Sequence, residues 1–215
     1  GTGAVSWSTV QKTAIAIFAS PFIAFTVAVL ASFLVRGLRK VFGLDEDHEF
    51  FRWSQIGSSA FVSWGHGTND AQKTMGIIAA TLYSAGYLHA DDATKLAPPY
   101  WVIIAAQAAI AVGTFYGGWR IIETVGSKMT RITSWQGFSA QTSAAFTIFG
   151  ASHFGIPLST THTITTAIVG ASASKRSYDI LWGVLRRIVI AWVVTFPACA
   201  FIAYCAAMIA NKLAS

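Results

Sequence analysis

The sequence has 215 residues, of which 54% are hydrophobic and only 11% are charged, less than half the charge content of an ordinary soluble domain. These values exclude a disordered chain, a collagen and a coiled coil, and they argue against a water-soluble globule. The formal net charge of +6 would suit a nucleic-acid partner, but the placement of the basic residues explains it without nucleic acid.

Three long uncharged runs predict plain transmembrane helices, at residues 13–35, 101–119 and 188–210. The first run has 23 residues, and at about 1.5 Å per residue a helix of this length covers the roughly 30 Å of hydrocarbon in a bilayer. Pro21 predicts a kink or a late start of the first helix, and Pro197 lies inside the third run. The predicted class is an all-α integral membrane protein.

Two further segments have membrane length but are interrupted by polar residues and glycines. Residues 53–86 are interrupted between Gly65 and Lys73, and residues 135–173 are interrupted at Gly155 and Pro157. Irregular backbone is tolerated at membrane depth only where protein or a water-filled cavity surrounds it. We therefore predict two broken or re-entrant helical segments that line a site.

Both interruptions carry residues that favour the start of a helix. In the first, Thr68 and Asn69 follow flexible glycines, and in the second Ser159, Thr160 and Thr161 follow Leu158. The N-terminus of a helix presents free N–H groups and a partial positive charge, which together attract an anion. Two such ends facing each other near the middle of the membrane would match the binding sites of secondary transporters.

The basic residues predict the orientation of the chain. Eleven of the 15 Lys and Arg residues lie in segments 36–52, 120–134 and 174–187, which the positive-inside rule places in the cytoplasm. Both ends of the sequence then lie outside. Segment 135–173 begins and ends on the cytoplasmic side, so that it is either a re-entrant hairpin or a pair of crossings.

Asp70 is the one carboxylate predicted to lie at membrane depth, where an ionised group costs about 2.5–3.5 kcal/mol on insertion scales. Its nearest candidate partner is Lys73. If a helix restarts after Gly67, then Asn69, Asp70, Lys73 and Ile77 lie near one face at helical spacings. The alternative is a pair of charges that only neutralise each other.

His66 and His162 are candidates for proton or anion contact, although each could instead be an interior histidine bonded to its neighbours. The tryptophans near the ends of the predicted spans, Trp135 among them, are interpreted as anchors at the membrane surface. No metal site is firmly assigned, and the sequence has no phosphate-binding glycine loop of ATPases and no HExxH motif, which leaves ATP-driven pumping and zinc hydrolysis without local support.

Two stretches of the sequence resemble the inorganic phosphate transporter (PiT) family. Residues 65–76 read GHGTNDAQKTMG and residues 150–172 read GASHFGIPLSTTHTITTAIVGAS. The resemblance implies cation-coupled symport of inorganic phosphate by alternating access, driven by sodium or protons and without a cofactor. It further implies a multi-pass protein in a plasma membrane, as in the bacterial inner membrane.

Members of that family contain two related halves of opposite orientation, and residues 1–215 are similar to the C-terminal repeat as one transmembrane domain. The implied partners are phosphate, the lipid bilayer and the N-terminal repeat, in the same polypeptide or as a second subunit. We therefore expect transport to require the other half of an inverted-repeat transporter.

The resemblance and the local chemistry together suggest two groups of site residues. Asp70 and Asn69 would hold the coupling ion, while the phosphate would be bound by hydroxyl, amide and ammonium donors. These donors are Thr68, Asn69, Lys73, Ser159, Thr160 and Thr161. The chain departs from the family where Lys73 replaces an asparagine and where the neutral Gln141 stands in a stretch that often has a carboxylate, which puts a sodium site in doubt.

Three other functions remain open at this point. The chain could transport another tetrahedral oxyanion such as sulfate, or it could be an assembly or sensor subunit that transports nothing. An intramembrane enzyme could use His66 and Asp70 as an acid–base or metal pair, but it would need a nucleophile or a third ligand that the sequence does not offer.

Overall fold

The computed structural model describes residues 7–46, 48–88, 97–130, 132–156, 158–175 and 180–214, and this part of the chain is helical with no β-strand. A short π-helix, Thr124–Lys128, follows the fourth α-helix. The seven α-helices are α1 (Trp7–Val41), α2 (Glu49–Ser84), α3 (Tyr100–Gly117), α4 (Trp119–Glu123), α5 (Ser134–His153), α6 (Thr160–Ala173) and α7 (Trp182–Ala214).

The three predicted spans are confirmed as helices of membrane length. Helices at Trp7–Val41, Tyr100–Gly117 and Trp182–Ala210 are long and apolar enough to cross a bilayer. The alternative of a late start at Pro21 is wrong, because α1 is already helical from Trp7 and the proline lies in its interior. Pro197 likewise lies inside α7.

The predicted break in residues 53–86 is wrong, because α2 continues for 36 residues through the whole polar stretch. Gly65 is used for packing instead: a Cβ atom there would lie 3.1 Å from Cε2 of Phe149 on α5. A glycine costs an α-helix about 1 kcal/mol relative to alanine. We attribute the continuity of α2 to its close packing against α5, which offsets that cost.

The break in residues 135–173 is confirmed, since α5 ends at His153 and α6 begins at Thr160. Gly155 has a φ of +62°, and its N–H donates to Ser152 O while the N–H of Ile156 donates to Ala151 O. This pattern is a Schellman motif, in which a glycine in the left-handed conformation closes a helix. Pro157 lies outside the described residues.

Helices α1, α2, α5 and α6 pack around a core of small side chains. Ala24, Ala28, Ala144 and Ala167 are fully buried together. The closest approach is between α1 and α6, where a Cβ atom on Gly170 would lie 2.5 Å from the carbonyl oxygen of Phe25. Small residues let helix backbones come this close, as is common in membrane proteins.

The three basic segments meet at one end of this helical assembly. Glu46 pairs with Arg39 near the end of α1 and with Lys175 after α6, while Thr130 forms a β-bridge with Ile180. The hydrogen bond to Lys175 is the main cause of a lowered pKa of Glu46. Arg131 and Arg176 lie outside the described residues.

Helices run further into these segments than the sequence suggested, since α1 continues to Val41 and α7 begins at Trp182. Trp135 does not sit at a surface, because its side chain is 1% exposed and the guanidinium of Arg39 lies over its ring at 5.4 Å from the centroid. Trp135 is therefore a core residue, and the prediction of a surface anchor is wrong for it.

Candidate functional site

The carboxylate of Asp70 connects the middle of α2 to the start of α6. Its Oδ1 accepts a hydrogen bond from Lys73 Nζ at 2.9 Å, and its Oδ2 accepts one from Thr160 Oγ1 at 3.1 Å. The pairing of Asp70 with Lys73, predicted from their spacing of three, is thus present in the structure. Thr160 is 90 residues further along the chain and is itself 2% exposed.

Lys73 also contacts the segment that leads into α6. Its Nζ donates to the carbonyl oxygen of Leu158 at 3.3 Å, so the ammonium lies between a carboxylate and a backbone carbonyl. Ser159 caps α6, with its side chain accepting a hydrogen bond from the N–H of His162 at 3.4 Å. Capping by serine satisfies one of the free N–H groups at a helix start.

A cavity of about 380 Å³ opens at this junction. The residues from Leu158 to His162 form one wall, and Asp70 and Lys73 form another. The remaining wall comes from α1 and α7, which contribute Thr13, Ile17, Trp192, Thr195 and Phe196. None of these five was predicted from the sequence as a site residue; the polar Thr195 within an apolar run was the one available signal, and it is weak.

The structure brings most of the predicted site residues together. Asp70, Lys73, Ser159, Thr160, Thr161 and His162 all line this cavity.

Two of the predicted donors point elsewhere. The hydroxyl of Thr68 donates to the carbonyl oxygens of Trp64 and Gly65 in its own helix. The amide of Asn69 donates to Ser152 Oγ on α5 at 3.4 Å, and Asn69 is buried at 9% exposure. In this arrangement Asn69 joins α2 to α5, and neither residue lines the cavity.

One histidine lies beside Asp70, and the other lines the same cavity as Asp70 and Lys73. His66 Nδ1 is 3.5 Å from Asp70 Oδ2, one helical turn before it on α2. The ring of His162 packs against Trp192 of α7, with 3.9 Å between the ring centroids. His66 is thus placed to exchange a proton with Asp70, whereas His162 is held by an aromatic contact.

A single helix start faces the site, in place of the two that the sequence predicted. Because α2 is continuous, its N–H groups near Gly67 are bonded within the helix and are not available to an anion. The positive end of α6 instead faces the side of α2, where Asp70 and Lys73 supply one negative and one positive charge. A bound anion would therefore meet the hydroxyls of α6 and the ammonium, with one carboxylate close by.

Within the described ranges, no group of three His, Cys, Asp or Glu residues is placed to hold a metal ion. The oxygen atoms nearest to one another at the site are the carboxylate of Asp70, the hydroxyl of Thr160 and the carbonyl of Leu158. Such neutral and anionic oxygens are the ligands of hard cations, and here the ammonium of Lys73 contacts two of them.

Comparison with known proteins agrees with this chemistry. The chain is 48% identical over 205 residues to a probable low-affinity inorganic phosphate transporter of Rhizobium meliloti, covering 94% of the chain and 59% of that protein. A protein of the same description from Bacillus subtilis is 38% identical, with 99% of the chain and 63% of that protein covered. The chain thus spans about six-tenths of the length of these two relatives.

A solved structure described as the sodium-dependent phosphate transporter matches with a TM-score of 0.60 and 27% identity. The match covers 86% of the chain and 53% of that structure. These descriptions are of transporters and not of enzymes, and with the apolar helices they fit a multi-pass protein of the bacterial plasma membrane. The model of the phosphate transporter family matches residues 1–203, and the chain therefore belongs to that family.

Proposed function

We propose that this chain forms one half of a cation-coupled phosphate symporter, with its binding site at the junction of α2 and α6. The observation that carries the proposal is the contact of Asp70 with Lys73 and Thr160 in the lining of the cavity at this junction. Phosphate would accept hydrogen bonds from Ser159, Thr160 and Thr161, and the ammonium of Lys73 would offset its charge.

The charges at the junction give coupling a physical basis. An ionised Asp70 repels an incoming phosphate, and at membrane depth this repulsion is weakly screened. A proton or a sodium ion that neutralises the carboxylate therefore favours phosphate binding. The cation and the phosphate consequently bind together. Lys73 already contacts both Asp70 and the carbonyl of Leu158. A hard metal cation needs several oxygen ligands, whereas a proton needs one oxygen, so this occupancy favours a proton over sodium in this half of the transporter.

Alternating access would move this half against the other half around the site. Helix α6 has 14 residues, and at about 1.5 Å per residue it covers only about 21 Å of a bilayer whose hydrocarbon is about 30 Å thick. This length favours a re-entrant hairpin for α5 and α6, with the tip of α6 inside the membrane. The basic end, where Glu46 joins Arg39 and Lys175, would face the cytoplasm.

The test is uptake of radioactive phosphate by proteoliposomes that contain the complete gene product carrying this chain. The sodium and pH gradients are imposed separately, and we expect the pH gradient to drive uptake. The amide of Asp70→Asn cannot take up the coupling proton, so this variant should reduce gradient-driven uptake at least about 10-fold, the factor that corresponds to about 1.4 kcal/mol. Glu123→Gln is the matched control, because Glu123 pairs with Lys128 at an exposed position outside the site.

Wild-type vesicles that take up no phosphate would contradict the proposal, and so would an Asp70→Asn variant with unchanged uptake. Sulfate in excess separates the proposal from transport of another oxyanion: it should leave phosphate uptake unchanged. Uptake that responds to the sodium gradient alone would support phosphate symport but would contradict the preference for protons.

A further inference from the structure

Seven polar residues of α2 form one continuous line along the helix. We call Arg52, Gln55, Ser59, Ser63, His66, Asp70 and Lys73 the α2 stripe. They recur at intervals of three or four, so at 3.6 residues per turn they fall within an arc of about 80°. From Arg52 to Lys73 the stripe is about 32 Å long at 1.5 Å per residue, close to the thickness of the hydrocarbon layer.

None of the residues of the stripe is buried. A polar side chain at membrane depth does not face lipid, since it lacks hydrogen-bond partners there. The stripe must therefore face water or protein. This requirement holds for every residue between its two ends, and most strongly for the charged ones.

Three cavities follow the stripe in order. The first is about 470 Å³ and includes Gln55, Ser59, Ser63 and Gln141 of α5 in its lining. The second is about 350 Å³ and is lined by Ser63 and His66 together with Gln107 and Thr114 of α3. The third is the cavity of about 380 Å³ at Asp70.

Adjacent cavities are connected through residues of the stripe. Ser63 lines both the first and the second cavity, and His66 in the second lies 3.5 Å from Asp70 in the third. Gly137 of α5 leaves room for Gln55, because a Cβ atom there would lie 2.3 Å from Gln55 Nε2. The series therefore leads from the site towards the end of α2 where the basic segments meet.

The charges along the α2 stripe suit an anion better than a cation. The hydroxyls of Ser59 and Ser63 and the amide of Gln55 can all donate hydrogen bonds. Arg52 is a positive charge at the basic end of the stripe, and Lys73 is a positive charge at the other end. The one carboxylate, Asp70, is already paired with Lys73.

We propose that the α2 stripe lines a hydrated route along which phosphate moves between the site at Asp70 and the basic end of the protein. This inference rests on the proposed function for the identity of the anion. The hydration of the groove rests on the stripe alone, so the two can be tested separately.

The test uses cysteine accessibility in the complete gene product. Cys199 and Cys205 are the only cysteines of the chain, and both are replaced by alanine together with any cysteines elsewhere in the gene product. Ser59→Cys and Ser63→Cys are then made singly and treated with an anionic methanethiosulfonate reagent, which reacts with a thiolate in water. Trp64→Cys is the matched control, because Trp64 is adjacent to Ser63 and 66% exposed but lies outside the stripe.

We expect the two stripe cysteines to react at least about 10-fold faster than the control, since a thiol in lipid does not ionise. Inorganic phosphate should slow their reaction, and modification should reduce phosphate uptake. Ser139→Cys, at a buried position of α5 with 1% exposure, is a near-isosteric second control that should stay unreactive.

Equal rates of cysteine modification in Ser63→Cys and Trp64→Cys would contradict the proposed route. They would mean that protein or lipid covers the α2 stripe. Fast modification that neither responds to phosphate nor lowers uptake would also overturn it, leaving a water-filled groove with another role. Fast modification in a protein without any phosphate uptake would leave the hydrated groove intact and would contradict the proposed function instead.

Discussion

The middle of α2 and the junction of α5 and α6 contain the same types of residue but have different structures. Both combine glycine with hydroxyl residues inside a segment of membrane length, yet α2 passes through its polar stretch unbroken while the other segment ends one helix and begins another. The difference lies in what each glycine does. Gly65 lets α5 pack closely, whereas Gly155 takes a left-handed conformation that ends α5.

The contrast shows that a glycine can mark either a close contact between two helices or a turn that ends a helix. The residues packed around the glycine decide which of the two forms. An interrupted helix supplies donors at its new N-terminus, while a continuous helix supplies only side chains. The site uses one of each, with α6 contributing its start and α2 contributing Asp70 and Lys73. Three predictions test this division and a fourth tests the basic end, beginning with the largest expected effect.

Thr160→Val breaks the contact between the start of α6 and Asp70 of α2. The substitution keeps the shape of the side chain but removes the hydrogen bond to the carboxylate of Asp70. Hydrogen bonds to charged groups contribute about 1.5–3 kcal/mol, and we expect a loss of stability in this range. Thermal unfolding in detergent measures it, and Thr160→Ser should restore most of the loss. Equal stability of the valine and serine variants would show that the hydroxyl is not needed.

The turn at the junction is tested by Gly155→Ala. A side chain at a φ of +62° is strained, and the left-handed conformation costs an L-residue about 1–2 kcal/mol. We expect the unfolding midpoint to fall accordingly. Gly155→Asn should cost less than the alanine variant, because asparagine tolerates this conformation better. An alanine variant as stable as the wild type would mean that the turn does not depend on glycine.

In the continuous helix α2, Gly67→Ala is expected to raise the stability of the protein, whereas Gly155→Ala lowers it. A Cβ atom there has Gln107 Oε1 as its nearest neighbour, at 3.9 Å, so the methyl group fits. Alanine should stabilise α2 by about 0.5–1 kcal/mol relative to glycine. A higher unfolding midpoint would support an unbroken α2. A lower one would indicate that the backbone at Gly67 leaves the helical conformation, as the sequence alone suggested.

The smallest effect is expected at the basic end, from Glu46. Its pKa is lowered below the usual 4.5, mainly by the hydrogen bond from Lys175. A lowered pKa means that the pair stabilises the protein above the pKa of the unfolded state and that this stability is lost as the pH falls through the folded value. The unfolding midpoint should drop as the pH falls from neutral to below 4.5, and it should drop less in Glu46→Gln. Parallel pH profiles would show that the pair contributes nothing.

Much of the fold could be read from the sequence because its signals are local. The three apolar runs predicted three helices, and Gly155 marked the turn. The continuity of α2 could not be read in this way, because it depends on packing with Ile148 and Phe149, some 80 residues further along the chain. Trp135 was misjudged for a similar reason: its burial depends on Arg39.

The parts of the candidate site that depend on the spacing of residues along a helix could be predicted. The parts that depend on the direction in which a side chain points could not. The pair of Asp70 and Lys73 follows from their separation on a helix. Thr68 was expected in the site, but a threonine inside a helix often bonds to the carbonyl four residues earlier, as it does to Trp64 O. The walls from α1 and α7 had no local signal. The α2 stripe was readable from its helical spacing, provided that α2 was taken as continuous.

The close approach of Gly170 to Phe25 limits how α6 can shift along α1. No side chain separates the two backbones at that point, and ten residues, about 15 Å of helix, lie between Gly170 and Thr160. In the proposed re-entrant arrangement, α6 would act as a rigid spacer that is seated on α1 near Gly170, and its tip at Thr160 would be held at a fixed depth in the membrane. Replacing Ala28, which is fully buried beside Gly170, with a larger residue would displace the tip without touching the cavity.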